Sequence, residues 1–304
     1  MSARGTSAAG LALALMVLAT GCDKGGSVEG VTASSTPAGS ASAAATTGAA
    51  PTSAAPSPST RVIPDPGLTV GQCTLKETDW TRLACSAPHE YEVTAVVADS
   101  SHPTDMLKRH EMREATCERR TAAYLGSDAM QTTHYRSITY PISKDPQEKS
   151  RFICMVGAFD PTFSKVGQVT GSVKGRLAGP GAVYNDRACA AQPISPTATT
   201  QPAPCSGKHV AEAVGGGFIG QPTEVFPGTN AINQRTSALC TPAYNAFLGK
   251  TTKPRTDISM VTIPPSPTSW SKGSRRSTCW VQVKSGQVTK SLKGIGDKPL
   301  ASYQ

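Results

Sequence analysis

"CSAPHEYEV", Cys85 to Val93, returns later in the chain as "CSGKHVAEAV", Cys205 to Val214. The shared frame is Cys-Ser-x-x-His-x-x-Glu, and the surrounding cysteines repeat with it. Cys73, Cys85, Cys117 and Cys154 are spaced by 12, 32 and 37 residues; Cys189, Cys205, Cys240 and Cys279 by 16, 35 and 39. "CERRTAAYLG" from Cys117 is matched by "CTPAYNAFLG" from Cys240, and "ITYPISKDPQEKSRFICMV" by "VTIPPSPTSWSKGSRRSTCWV". Landmarks recurring in one order mark a duplicated unit. Each copy is a domain of about 90–100 residues, within the usual range.

The same pattern is predicted in both copies. "VGQCTL" and "RLACSAPHEYEVTAVV" alternate apolar and polar residues and end β-branched, as strands do. "HPTDMLKRHEMREATCERRTAAYLG" is predicted to be a helix, capped by Thr104 or Asp105 and stopped by Gly126. "RFICMVGAF" closes the unit as a strand. The second copy runs from "NDRACAAQP" to "STCWVQV", and Pro242 is expected to kink or split its helix. The expected fold class is α+β, with two tandem β-β-α-β domains, each with its helix on one face of a small antiparallel sheet. The boundaries predicted are residues 67–160, a linker at 161–182, residues 183–286, and a basic tail at 287–304.

The N-terminus sets the compartment expected. Arg4 precedes a short apolar run near Ala8–Ala19, too short to span a bilayer, which needs about 20 residues. Ala19, Thr20 and Gly21 then lead into Cys22. A basic start, a short apolar core and small residues before a cut describe a signal peptide, here residues 1–21. The cut before a Cys resembles a bacterial lipobox, with Ala19 where Leu is usual. Cys22 is therefore expected to carry the lipid, palmitate included, and more than one acyl chain anchors stably. The Gly, Ser, Thr, Ala and Pro of residues 23–66 have too little apolar bulk to offset ordering, so a disordered tether is expected. Its 44 residues would span about 35–40 Å end to end. The localisation expected is the extracytoplasmic face of the cell membrane.

An exported chain with eight further cysteines implies disulfides. Aromatic residues make up only 5% of the chain, so each domain's core is thin. A bridge across a loop of 12 to 40 residues contributes about 3–4 kcal/mol. Four cysteines per copy permit three pairings. The pairing expected joins Cys73 to Cys85 and Cys189 to Cys205 between strands, and Cys117 to Cys154 and Cys240 to Cys279 from helix to last strand.

With these residues in place, the chain resembles the septum formation family of actinobacterial envelope proteins. Gly71, Cys73, Cys85, Ser86, Pro88, His89, Glu92, Val93, Cys117 and Cys154 match its pattern in the first copy. The second keeps Cys189, Cys205, Ser206, His209, Glu212, Cys240 and Cys279, and its "WSKGSR", Trp270 to Arg275, is similar to the family's Trp-x-x-Gly-x-Arg. It departs at Lys208 and Ala213; the first copy has Pro146 and Glu148 near where that Trp and Gly would stand. The resemblance covers residues 69 to 283. It implies a link to cell division and brings no defined reaction.

Three kinds of chemistry can be asked of the motif. A catalytic Cys must be a free thiol, and a disulfide sulfur cannot serve. Zinc would take Cys and His in a tetrahedron, but there is no Cys-x-x-Cys and all four cysteines recur as a set. Acid–base work by His89 and Glu92 meets a geometric objection, because residues three apart on a strand face opposite ways unless a bulge intervenes. His89 is therefore expected to hydrogen-bond local groups. No Gly-x-Ser-x-Gly, His-Glu-x-x-His or phosphate-cradling loop is present. No metal, cofactor or catalytic residue is expected.

Charge is unevenly placed. Residues 67–157 hold 11 Lys/Arg against 12 Asp/Glu, and residues 158–304 hold 16 against 6. Lys272, Arg275, Arg276, Lys284, Lys290 and Lys293 crowd the C-terminal end. Outside the membrane this favours anionic lipids or wall polymers over nucleic acid. The function expected is that of a non-enzymatic envelope lipoprotein that binds envelope or division proteins. The alternative is a secreted hydrolase or metal-binding protein using His89 and His209.

Overall fold

Arg109, Arg113, Cys117, Thr121 and Leu125 recur every four residues and are buried, so one stripe of the first helix faces inward. In the second copy Ile232, Thr236, Cys240 and Leu248 form the same buried stripe. The computed structural model describes residues 67–76, 79–99, 105–141 and 151–304. The leader, Cys22, the tether, Pro146 and Glu148 lie outside them. The helices are α1 (Met106–Leu125) and α2 (Thr229–Leu248), with a short α3 (Pro267–Ser271). Asp105 caps α1, its carboxylate accepting from Leu107 N and Lys108 N, and Gly126 stops it at φ 87°.

Each helix covers one face of a five-stranded antiparallel sheet. The first sheet holds β1 (Cys73–Lys76), β2 (Asp79–Leu83), β3 (Tyr91–Ala98), β4 (Tyr135–Pro141) and β5 (Arg151–Ala158) in the order β2-β1-β3-β5-β4. The second holds β6 (Cys189–Ala190), β7 (Pro202–Ala203), β8 (Ala211–Phe218), β9 (Ile258–Ile263) and β10 (Arg276–Val283) in the corresponding order β7-β6-β8-β10-β9. The α+β class and the β-β-α-β order hold, and each repeat has two strands more. One arises because the run from Arg82 to Val97 breaks at a turn before His89; the other enters after each helix. All four disulfides join the expected partners, with Cα separations of 5.0–5.3 Å.

Several expectations need correction. Residues 161–182 are not a linker. Val169 pairs with His89, and Val173 and Leu177 are buried in the first core. Residues 287–304 are likewise no tail, since Val288 pairs with His209 and Leu292 and Ile295 are fully buried. Both segments are polar and Gly-rich, which gave them a linker's composition, but their backbones bridge to His89 and His209. Pro242 does not split α2. It sits on the exposed side, where water can satisfy the carbonyl it leaves unbonded, while Cys240, Phe247 and Leu248 anchor both halves.

The repeats belong to one compact unit and contact each other directly. Ala188 N donates to Thr132 O, and His134 N to Asp186 O. Phe218 of β8 packs on the first repeat's core, with the Arg119 guanidinium 4.3 Å from its ring centroid. No helix among the described residues is long and apolar enough to cross a membrane.

Candidate functional site

His89 and Glu92 meet, contrary to the strand argument. β3 starts only at Tyr91, so His89 lies in the preceding turn and the alternation of faces does not apply to it. Ligand atoms of Cys73, Cys85, His89 and Glu92 all lie within 4.8 Å of one another, as do those of Cys189, His209 and Glu212.

Each histidine is tied three ways. His89 N donates to Val169 O at 3.0 Å, Val169 N returns a bond to His89 O at 2.8 Å, and Nδ1 donates to Ala87 O at 2.9 Å. His209 repeats this with Val288 at 2.9 and 2.8 Å and with Gly207 O at 2.7 Å. Because a carbonyl only accepts, Nδ1 carries a proton in both rings. Both Nε2 atoms are buried without a hydrogen bond, and His209 Nε2 stands 3.4 Å from Glu212 Oε1, at ion-pair distance but outside hydrogen-bond geometry.

Each carboxylate holds three donors. Glu92 Oε1 accepts from Tyr124 Oη and from Ser172 Oγ, and Oε2 from Val173 N at 2.7 Å. Glu212 Oε2 accepts from Arg187 Nε at 2.6 Å and Ser291 Oγ at 2.9 Å, and Oε1 from Leu292 N at 2.6 Å. Burial pushes the Glu212 carboxyl up, but His209, the Arg187 charge and the Leu292 N–H outweigh it and hold it below the usual glutamate value. Burial and the bond to Glu92 push the Tyr124 phenol up to about 12.

Each repeat is therefore latched by a returning strap. "GQVTGSVKG", Gly167 to Gly175, and "GQVTKSLKG", Gly286 to Gly294, supply the Val that pairs with the His and the Ser and next residue that bind the Glu. This repeated segment was missed, although its near-identity in both copies was a signal. As a metal centre the clusters fit poorly: the sulfurs are joined in disulfides and the carboxylate oxygens already hold donors.

Of the other motif residues, Trp270 and Arg275 are buried braces. Arg275 donates to the carbonyls of Gln221, Trp270, Ser274, Pro222 and Glu224, and its guanidinium lies 3.9 Å from the Trp270 ring centroid. Trp270 Nε1 donates to Glu224 O. Pro88 is exposed at the turn before His89. The expected anionic-surface set divides. Arg276 is 3.3 Å from Glu118 and Lys272 3.6 Å from Glu111, so both reach helix α1 of the first repeat. Gly273 lets this loop approach; a Cβ there would meet the Ala115 Cβ at 3.2 Å. Lys284, Lys290 and Lys293 are exposed, though Lys290 Nζ donates to Ser302 O and Lys293 Nζ lies 5.2 Å from the Tyr184 ring centroid.

The septum formation family model matches residues 68–221 and again 217–297. No curated protein and no solved structure matches the chain. The two family matches run through both repeats and both straps, and so the chain belongs to the septum formation family.

Proposed function

We propose that the protein is a non-enzymatic cell-envelope lipoprotein, held by Cys22 on the extracytoplasmic face, that serves as a binding or accessory module in septum formation or envelope maintenance. The observation that carries this is the closure of the shared motif. His89 and His209 are 0% exposed, Glu92 1% and Glu212 0%, and both carboxylates have their donors in place. The shared motif is thus taken up in holding the fold together. The four disulfides and the lipobox-like leader support an exported address. Exposed Lys284, Lys290 and Lys293 suit anionic lipids or wall polymers, and nucleic acid is no partner at that address.

The test is the position of a fluorescently tagged full-length chain in a dividing actinobacterial host, beside Cys22→Ser. Membrane and septal label for the wild type, and release of the variant, are expected. Label in the cytoplasm, or a variant that stays at the membrane, would refute the anchor. The hydrolase or metal reading draws on the clustering around His89 and His209. It would be favoured if His89→Ala abolished a cellular phenotype with an unchanged melting temperature; loss of both together is the outcome expected from a latch.

A further inference from the structure

The duplicated plan differs in length at two places, and the two meet in space. Between β5 and its strap the first repeat is six residues longer than the second between β10 and its strap. Between its first two cysteines the second repeat is the longer, at 16 residues against 12. Both extra segments wall one cavity of about 590 Å³ between the repeats. Arg136, Thr162 and Phe163 come from the first repeat; Ser195, Thr278 and Trp280 come from the second.

The inserted loop is built, not slack. The Asp160 carboxylate accepts from Thr162 N, Thr162 Oγ1, Ser164 N and Ser164 Oγ at 2.6–3.1 Å, and these bonds, led by the Ser164 hydroxyl, hold its pKa at about 2. The loop forces Phe163 to φ 55°, which no other non-glycine residue among those described adopts. Bulky side chains avoid that region, and such outliers gather at functional sites. The Phe163 ring stacks on His134 at 5.3 Å, and the Arg136 guanidinium lies 4.3 Å from its centroid.

Arg136 donates through Nη1 to Thr133 O and Tyr135 O, but forms no ion pair among the described residues. Burial, with Arg276 nearby, lowers its pKa to about 10, so it stays charged at neutral pH. A cation with no carboxylate in ion-pair contact among the described residues, Glu118 acting on it only from further off, thus borders the cavity. On the other wall Trp280 spends its Nε1–H on Thr278 Oγ1 at 3.0 Å, which leaves its apolar ring to line the space. Ala190, Ala211 and Ala213 make room for that ring.

We propose that this cavity binds an acidic saccharide, with a sugar ring against Trp280, its carboxylate or phosphate on Arg136, and its hydroxyls on Thr162, Ser195 and Thr278. An aromatic face takes the apolar face of a sugar, a guanidinium takes an oxyanion, and hydroxyls exchange hydrogen bonds with hydroxyls. The volume falls in the range of ligand sites, roughly 300–1,000 Å³. The proposal rests on the binding-module reading and gives that module a ligand class.

Calorimetric titration of the exported, disulfide-bonded chain tests it. The probes are a disaccharide carrying one uronic acid, a disaccharide phosphate, the neutral disaccharide and inorganic phosphate. Saturable one-to-one binding of an acidic disaccharide is expected, with the neutral one at least ten-fold weaker. The tighter of the two acidic probes identifies whether carboxylate or phosphate is the anion. Arg136→Gln should weaken binding at least ten-fold, with a lower melting temperature from the lost bonds to Thr133 O and Tyr135 O but a folded chain. Should that variant fold poorly, Ala198→Trp on the exposed β6–β7 loop fills the cavity mouth without touching the core and should abolish binding. Absence of saturable binding, equal binding of the neutral sugar, inorganic phosphate binding as tightly as the sugar, or indifference to Ala198→Trp would each overturn the proposal. Septal localisation does not depend on Arg136, so the module reading stands or falls separately.

Discussion

The two repeats solve one problem with different residues. Each buries a glutamate under its strap and must supply it with donors. Two places before the first cysteine stand Gly71 in one copy and Arg187 in the other; seven places after the helix cysteine stand Tyr124 and Phe247. In the first repeat Gly71 leaves space, its notional Cβ being 3.7 Å from Tyr124 Oη, and that phenol serves Glu92. In the second the phenol is gone, and Arg187 fills the role with its guanidinium 5.9 Å from the Phe247 ring centroid. The pair has exchanged its polar member. What both copies keep is the number of donors around a buried carboxylate, because an unsatisfied one is far costlier than any particular partner.

The exchange makes one latch ionic and the other dependent on a neutral phenol, and removing the carboxylate charge should separate them most. Glu212→Gln leaves Arg187, 14% exposed at its side chain, without its counter-charge, and a loss of about 3–5 kcal/mol is expected. Glu92→Gln strands no cation at Tyr124 or Ser172, and about 1–3 kcal/mol is expected. Urea unfolding of both variants measures the difference. Equal losses would mean that Arg187 adds nothing beyond what a phenol provides.

The latches should also fail at opposite ends of the pH scale. Glu212 has a lowered folded pKa, so its contribution is fully present above the unfolded value of 4.5 and is lost as pH falls through the folded one. Tyr124 has a raised folded pKa, so its contribution is present below 10 and is lost as pH rises through about 12. Denaturation midpoints across pH should show an acid limb that Glu212→Gln flattens and an alkaline limb that Tyr124→Phe flattens. At neutral pH Tyr124→Phe removes one donor from Glu92 and should cost about 1 kcal/mol. If it instead flattened the acid limb, the assignment of the two latches would be wrong.

Much of this architecture was written in side chains and could be seen there. The cysteine frame gave the duplication but left three pairings open in each copy, of which the expected one forms. Asp105 and Gly126 marked the ends of α1 because caps demand particular residue types. The straps were hidden for a complementary reason. Val169 and Val288 act through backbone pairing, which has no residue signature, and the polar, glycine-rich composition around them suggested a linker. The meeting of His89 and Glu92 was hidden because a turn, not a strand, precedes Tyr91. The cavity was hidden most deeply: Arg136 and Trp280 are far apart in the chain, and only the packing of one repeat on the other brings them to one cavity.

The charge asymmetry between the repeats is partly internal, and that sets the smallest effect. Arg276 and Lys272 of the basic half sit on Glu118 and Glu111 of the other. Burial raises the Glu118 carboxyl and the Arg276 charge opposes it. Arg276→Gln should therefore cost about 1 kcal/mol at neutral pH. That cost should shrink as pH falls through the folded pKa of Glu118, which burial places above the usual 4.5, because a protonated Glu118 no longer needs a cation. Lys272 is exposed, and Lys272→Gln should cost no more than about 0.5 kcal/mol, less still in high salt. Neither change should weaken sedimentation with anionic vesicles, whereas replacing Lys284, Lys290 and Lys293 together should. If the Lys272 and Arg276 changes abolished vesicle binding while leaving stability untouched, those cations would belong to an outer partner, and the contact with α1 would be incidental.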